Sequence, residues 1–278
     1  MRPFLSNAHT HSTFCDGKNT PLEMIAAAKE LGFVSLGFSG HASPGFESAW
    51  CMPAQRHPQY MQAIRDLQPS TQSVRIWCGY EVDAMTPPEL LGETREADYR
   101  IGSMHYFVAR AKAPQADGRP ETLRQYLDEA FAGDGLALAR RYYDILAEFI
   151  NRECPDIIGH FDLIRKNAQK IQLFDETSPA YRKIALDALE RIFPSGSVLE
   201  VNTGGVSRGY LPTPYPTLEL LCAWREMGGR VTVTSDCHDC NLLNCAFDQA
   251  MDLIHQAGFQ SVLRLGTGDR LWDEIEVE

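Results

Sequence analysis

Two histidines separated by one residue, His9 and His11, open a series of side chains whose types suit metal chemistry: His41, Glu81, His105, His160, Asp236 and His238 follow along the chain. Neutral imidazoles and carboxylates are the donors that zinc, manganese and iron take from proteins. In an extended segment, residues i and i+2 point to one face, so the rings of an H-x-H pair can share one ion. A carboxylate can bridge two cations, whereas an imidazole nitrogen serves one, so this donor set has the makings of a centre with more than one ion. Each histidine alone reads more simply as a core residue, and the joint pattern is what carries weight.

The elements that would position these groups follow from hydrophobic periodicity. Short apolar runs alternate with amphipathic stretches throughout, the mark of repeated β-α units and a parallel sheet. Strands are predicted at residues 4–10, 34–39, 74–82, 99–103, 156–159, 198–202 and 231–235. His9 and His11 end the first, His41 follows the second, Glu81 ends the third, His105 follows the fourth, His160 ends the fifth, and Asp236 with His238 follows the seventh. Six of the eight histidines thus fall at strand ends, while His57 lies in a loop and His255 on a helix. In a parallel barrel those ends converge on one mouth, where catalytic groups of such folds sit.

Helix starts are readable too. Thr20, Pro21 and Glu23 supply an N-cap, a first-turn proline and a capping-box carboxylate. Ser178 and Pro179 open a helix over 180–193 in the same way, and a long helix is expected over 241–256, ending before Gly258. Residues 261–265 look strand-like and are placed outside the barrel. The irregular stretches 42–57, 107–120 and 203–216 are expected as long loops over one face. Tyr142 and Tyr143 fall in an amphipathic helix and are read as core packing. No linker, repeat or low-complexity tract divides the 278 residues, so one domain over 1–278 is expected.

Composition limits the alternatives. With 26 Lys and Arg against 37 Asp and Glu the net charge is −11, and no basic cluster offsets it, which argues against nucleic-acid polymers and anionic membranes as partners. The N-terminal MRPFLSNAHTH lacks the apolar stretch of a signal peptide, no segment reaches the length of a membrane span, and a cytoplasmic location is expected. Eight irregularly spaced cysteines read as reduced thiols, and the CxxC of Cys237 and Cys240 has no second pair to complete a zinc site.

The motifs together resemble a known family. THSTFCDG at 10–17, GFSGH ending at His41, GYEVD around Glu81, GSMHYF around His105, GHFDLIRK from Gly159, LEVNTGG from Leu199 and TSDCH ending at His238 look like the PHP (polymerase and histidinol phosphatase) superfamily, in order and across almost the whole chain. Within it, GSMHYF, GHFDLIRK and VNTGGVSRG most resemble the histidinol-phosphate phosphatases. The resemblance implies an α/β fold, a distorted (β/α)7 TIM-like barrel, with two or three divalent transition-metal ions (zinc, manganese or iron) at the C-terminal mouth of the strands. By that analogy His9, His11, Glu81 and Asp236 hold the first ion, and Glu81 bridges to a second held by His105 and His160. Asp16, His41 and His238 hold the third. Two positions depart from the family: Gly40 stands where Asp is frequent, and Cys15 where Ser is frequent.

The same resemblance implies hydrolysis of a small phosphate monoester, L-histidinol phosphate, to L-histidinol and phosphate, the phosphatase step of histidine biosynthesis. Arg208, in a glycine-rich loop after the sixth strand, and Arg165, shortly after His160, are candidates for binding the phosphate. Asp162 is a candidate acid for the leaving oxygen, Glu200 a partner that orients ligand histidines, and Asp83 a structural support. Gly204 and Gly205 read as turn glycines. Three other readings compete. An amidohydrolase would lack the third site that Asp16 and His41 supply. A PHP phosphoesterase acting on nucleotides stays compatible with the residues. A closed structural metal module would have four ligands, often cysteines, and no open positions.

Overall fold

The computed structural model describes residues 5–69 and 73–277, and Phe4, expected in the first strand, lies outside them. Nine strands form one sheet in sequence order: β1 (Leu5–Asn7), β2 (Phe33–His41), β3 (Arg75–Asp83), β4 (Tyr99–Ser103), β5 (Ile157–Ile158), β6 (Val198–Asn202), β7 (Val231–Thr234), β8 (Ser261–Leu265) and β9 (Trp272–Glu276). Every neighbouring pair from β1 to β8 is parallel, and β9 returns antiparallel along β8. The strands of β2, β3 and β6 are buried almost end to end, as expected for a parallel sheet covered by helices on its outer face.

The sheet curls until the chain just past β1 meets the chain just past β7. Thr10 and Cys237 form a parallel bridge there: the His11 N–H donates to the Cys237 carbonyl (2.8 Å) and the Cys237 N–H to the His9 carbonyl (3.0 Å). The residues that carry His9, His11, Asp236 and His238 are thereby stitched side by side at the C-terminal rim. At the opposite rim the gap is filled by β8, contrary to the expectation that 261–265 lies outside the barrel. Thr232 of β7 registers with Leu263, the Leu265 N–H donates to Ser6 Oγ (3.2 Å), and Ser35 Oγ donates to the Leu265 carbonyl (2.6 Å).

The helix Pro21–Leu31 begins on the reciprocal cap read from the sequence. The Glu23 N–H donates to Thr20 Oγ1 (3.3 Å) and the Thr20 N–H to Glu23 Oε2 (2.7 Å), a device worth about 1 kcal/mol, and Gly32 closes the helix at φ 80°. Tyr142 and Tyr143 are buried on the helix Gly135–Glu153, their hydroxyls meeting the Phe161 carbonyl and Tyr181 Oη. The helix expected over 241–256 is broken. A 3₁₀ turn, Cys240–Leu242, precedes the α-helix Phe247–Gln256, and Ala246 between them has φ 58°. Side chains of the barrel take the intervening carbonyls out of the helical ladder: Asn7 Nδ2 and Ser235 Oγ donate to the Leu243 carbonyl, and Thr203 Oγ1 to that of Cys245. No helix among the described residues is long and apolar enough to cross a membrane.

Candidate metal centre

The C-terminal strand ends and the loop after β1 bring eight side chains together around Glu81. His41 is the last residue of β2 and Glu81 lies within β3. His9 and His11 follow β1, His105 follows β4, His160 follows β5, and Asp236 and His238 follow β7. The two oxygens of Glu81 serve different neighbours. Oε2 lies 3.1 Å from His9 Nε2, 3.5 Å from His11 Nε2 and 2.8 Å from His41 Nδ1. Oε1 lies 3.0 Å from His160 Nε2 and 3.4 Å from His105 Nε2. Asp236 Oδ1 stands 3.3 Å from His11 Nε2 and 3.6 Å from His9 Nε2. Asp16 reaches the cluster from its loop, with Oδ1 3.7 Å from His41 Nε2 and Oδ2 3.3 Å from His238 Nε2.

Three sets of donor atoms lie mutually within 4.8 Å: His9, Glu81 and His160; His9, His11 and Asp236; and His11, Asp16, His41 and His238. His11 therefore stands between the first and third groups that the family pattern separates. The donors fit divalent cations by a specific criterion. His9 Nε2, His11 Nε2 and Glu81 Oε2 are buried and close together, yet none makes a hydrogen bond among the described residues. Orphaning a buried polar atom costs about 1–3 kcal/mol, and lone pairs that converge on common points, not on one another's protons, are what a cation satisfies.

The His9 and His105 rings are held by the nitrogen that faces away from Glu81. His9 Nδ1 meets Glu200 Oε2 at 2.9 Å, and Glu200 in turn accepts from Thr234 Oγ1, Asn202 Nδ2 and the His160 N–H. One buried carboxylate on β6 thus turns the His9 Nε2 inward and anchors the backbone of His160. Asp83 does the same for His105, accepting from its backbone N–H (2.8 Å) and lying 3.1 Å from its Nδ1. The Asp236 backbone sits at φ 48°, a left-handed conformation that Asp tolerates and that a rigid surrounding must impose. Cys15 Sγ approaches His11 Nδ1 at 3.5 Å, and burial pushes its thiol up to about 12, so it stays protonated. At Gly40 a side chain would meet Met52 Cε at 3.0 Å and the Tyr60 ring at 3.4 Å, so Met52 and Tyr60 occupy the room that the family's Asp would need.

The electrostatics of the metal-free cluster predict how cations compete with protons. Burial works to lower the His9 pKa, but Glu200, Glu81 and Asp236 outweigh it and hold the imidazole well above its usual range. Burial is likewise overcome at His105 by Glu81 and Asp83, and at His238 by Asp16 and Asp236. His11 goes the other way, to about 3, through burial and the neighbouring His238 and His41. Raised pKa values mean that at neutral pH a proton must leave before a cation binds, so affinity should fall as pH falls. Each displaced proton contributes roughly tenfold per pH unit. Chelator competition at about pH 8 and about pH 6 should show at least a tenfold loss of affinity at the lower value; equal affinities would contradict this charge pattern.

Arg208 lies inside the cluster. Its Nη2 donates to Asp236 Oδ2 (2.6 Å) and its Nη1 to the Asp236 carbonyl (2.9 Å), with His238 Nδ1 at 3.2 Å from Nη1. Gly204 makes this approach possible, since a Cβ there would stand 2.7 Å from Arg208 Nη2 and 2.9 Å from Asp236 Oδ2. It is more than a turn glycine. The sequence assigns Arg208 to the phosphate, and in the fold it also neutralises the candidate ligand Asp236. Arg208→Ala is therefore expected to raise KM about tenfold or more, from a lost charged hydrogen bond of about 1.5–3 kcal/mol, and to loosen the metals as well. Steady-state kinetics with elemental analysis check this; full metal retention would show that the Asp236 pairing does not serve the cations.

Arg165 is buried, with Nη1 on Asp162 Oδ2 (3.1 Å) and Nε on Glu176 Oε2 (2.5 Å), and Nη2 carries no hydrogen bond among the described residues. Asp162 is fully buried, burial raises its carboxyl pKa, and its hydrogen bonds go to Arg165 and the Thr217 N–H, with none to the nine clustered residues. The rim also holds residues that the sequence did not single out. Trp50 packs edge-on against His41 (4.4 Å between centroids) and His105 (5.1 Å), and stacks on Tyr106. Asp117 and Lys166 form an ion pair at 3.2 Å. Loop tryptophans and turn aspartates carry no local signal that separates these from ordinary surface residues.

A parallel barrel with clustered imidazoles and carboxylates at its C-terminal mouth, joined by one carboxylate, defines the class of divalent-metal hydrolases. Residues 7–204 match the PHP domain family, and the chain belongs to it. A curated protein of Schizosaccharomyces pombe, named as a candidate histidinol-phosphatase, is 24% identical across 94% of this chain and 90% of its own length. Among solved structures, a candidate histidinol phosphatase of Listeria monocytogenes superposes with a TM-score of 0.72 at 19% identity, covering 87% of this chain and 98% of that one. The histidinol phosphate phosphatase of Lactococcus lactis, solved with zinc, L-histidinol and phosphate, gives 0.63 at 19% identity, covering 94% and 96%. These structural likenesses establish the shared fold.

Proposed function

We propose that the chain is a metal-dependent phosphomonoesterase that hydrolyses L-histidinol phosphate to L-histidinol and phosphate, using two or three ions of zinc, manganese or iron. The observation that carries the reaction class is the division of Glu81, one oxygen toward His9, His11 and His41 and the other toward His160 and His105. Divalent ions in such a site polarise a phosphoryl oxygen and activate water for in-line attack at phosphorus. The chain's own residues do the rest. Arg208, partly exposed at the mouth, faces the charge that develops on non-bridging oxygens, and the clamped Arg165 offers Nη2 as a further donor. Glu200 and Asp83 keep the His9 and His105 imidazoles in one orientation throughout. Cys15 is kept as a thiol and gives no nucleophile, in keeping with direct attack by water.

The substrate reading is supported by the histidinol-phosphatase relatives, whose likeness spans nearly the whole chain. Comparison of kcat/KM for histidinol phosphate, nucleoside monophosphates and an aryl phosphate tests it. Histidinol phosphate should be preferred by at least about tenfold, equivalent to about 1.4 kcal/mol in the transition state. A nucleotide turned over equally well would reassign the substrate while keeping the phosphoesterase chemistry.

A further inference from the structure

We infer that His57 is a positioning residue: its imidazole ties together the two ends of the loop at 43–56 and so holds Trp50 against the candidate ligands His41 and His105, a role that serves the phosphatase reading above. His57 stands at the first position of the helix His57–Leu67, outside the nine clustered side chains, and is buried. The loop leaves the metal centre at Ser43, two residues after β2, and comes back to the barrel at His57. There the Ser43 N–H donates to His57 Nε2 (3.0 Å), while Nδ1 donates to Glu93 Oε2 (3.2 Å) on the helix Pro88–Thr94. Tyr80 Oη donates to the His57 carbonyl (3.2 Å), which fixes the residue to β3.

An imidazole makes both bonds in one form only, with the proton on Nδ1 and Nε2 bare. Burial holds the His57 pKa below its usual value against the pull of Glu93, so the ring is neutral at neutral pH and Nε2 remains an acceptor.

The loop closed by this bond has two unlike sides. Toward the metal centre, Trp50 lies edge-on to His41 and His105 and stacks on Tyr106. Ser48 Oγ meets Tyr106 Oη at 2.9 Å, and Phe46 packs edge-on against the same ring (5.0 Å between centroids). On the other side a cleft of about 520 Å³ lies between the loop and Leu90 of the helix Pro88–Thr94, with Cys51 and Met52 along its wall. A loop backed by a cleft of that size is not kept in place by packing from behind, so its position depends on ties at its ends and along its front. The Met52 N–H supplies one such tie, donating to the His41 carbonyl (3.0 Å), and the bond from Ser43 to His57 closes the base. With the base open, Trp50 withdraws into the cleft, and His41 and His105 lose the surface against which their rings are set.

Two variants divide the bonds of the ring. His57→Gln can place Oε1 where Nε2 stands and keeps an acceptor for Ser43, whereas His57→Asn can place Nδ2 where Nδ1 stands and keeps only the donor to Glu93. The metal-loaded parent and both variants are compared by the rate at which iodoacetamide alkylates Cys51, read on its peptide by mass spectrometry, and by kcat and KM on histidinol phosphate and on an aryl phosphate. Cys51 is buried in the closed loop. In His57→Asn it should react about tenfold faster or more, and kcat should fall about tenfold or more on both esters with little change in KM, while His57→Gln stays near the parent. Cys78, buried in β3, should stay unreactive in all three and so reports an intact barrel. Unchanged Cys51 alkylation in His57→Asn, equal effects in the two variants, Cys78 opening together with Cys51, or faster Cys51 alkylation with an unchanged kcat would each overturn the role. A parent inactive on both esters would overturn the phosphatase reading instead, and the Cys51 rates would still decide whether His57 holds the loop.

Discussion

Glu81→Gln is expected to lower kcat by about a thousandfold or more, equivalent to about 4 kcal/mol in the barrier, and to leave the purified protein short of at least one ion per chain. The substitution keeps the shape of the side chain and changes its chemistry in two ways. One oxygen becomes an NH2 that cannot ligate, and the negative charge that balances the surrounding cations disappears. Because Oε2 faces His9, His11 and His41 while Oε1 faces His160 and His105, neither orientation of the amide serves both groups. The site offers no replacement, since Glu81 is buried and, among the described residues, the only other donor to it is the Ser103 hydroxyl at 2.7 Å. Elemental analysis beside steady-state kinetics decides the matter. Full metal content with a rate within tenfold of the parent would remove Glu81 from the bridging role.

The gathering of Glu81 and its eight companions was legible because strand ends can be read from apolar runs of defined length. Residues 198–202 are bounded by Ser197 and by Thr203 and Gly204, and 99–103 begin after Asp98; β4 and β6 occupy those limits. Where the chain leaves the regular ladder, sequence periodicity no longer reports its path. The first apolar run extends past β1, but beyond Asn7 the backbone turns to pair with Cys237, more than two hundred residues away. The break before Phe247 arises in the same way, from Asn7, Ser235 and Thr203 capturing carbonyls of residues whose own neighbours read as helical. The strand character of 261–265 was visible, but not its place, which depends on two serine hydroxyls of β1 and β2. The candidate site divides along the same line. Candidate donors at strand ends are visible from their spacing, and loop residues such as Trp50 and Asp117 acquire their position only from folded contacts.

Gly17→Ala is expected to reduce activity by about a hundredfold although Gly17 contributes no donor atom, because misplacing a site group by about 1 Å has effects of that size. The loop from Ser12 to Lys18 turns back on the peptide that carries His11. The Cys15 and Gly17 N–H groups both donate to the Ser12 carbonyl (3.0 and 3.1 Å), and the Lys18 N–H donates to the carbonyl of His238 (2.8 Å). In that turn a Cβ on Gly17 would stand 2.4 Å from Ser12 N, 2.5 Å from the His11 carbonyl carbon and 2.6 Å from Ser12 Cα. All three are backbone atoms, so no rotamer change relieves the clash, and the loop itself has to move. Asp16 moves with it, away from His41 and His238, and the tie between Lys18 and His238 loosens. The His9–Glu81–His160 group lies outside this loop, so the loss should be confined to the ion nearest Asp16. Metal content should therefore fall by about one ion per chain while the remainder stays bound, with a stability loss of about 1–3 kcal/mol from the overpacked turn. Asp16→Asn provides the comparison, since it weakens the same ion without the steric strain. Parent-like rates and a full metal complement in Gly17→Ala would show that the turn adjusts without moving Asp16, and that the geometry of this third group does not limit the reaction.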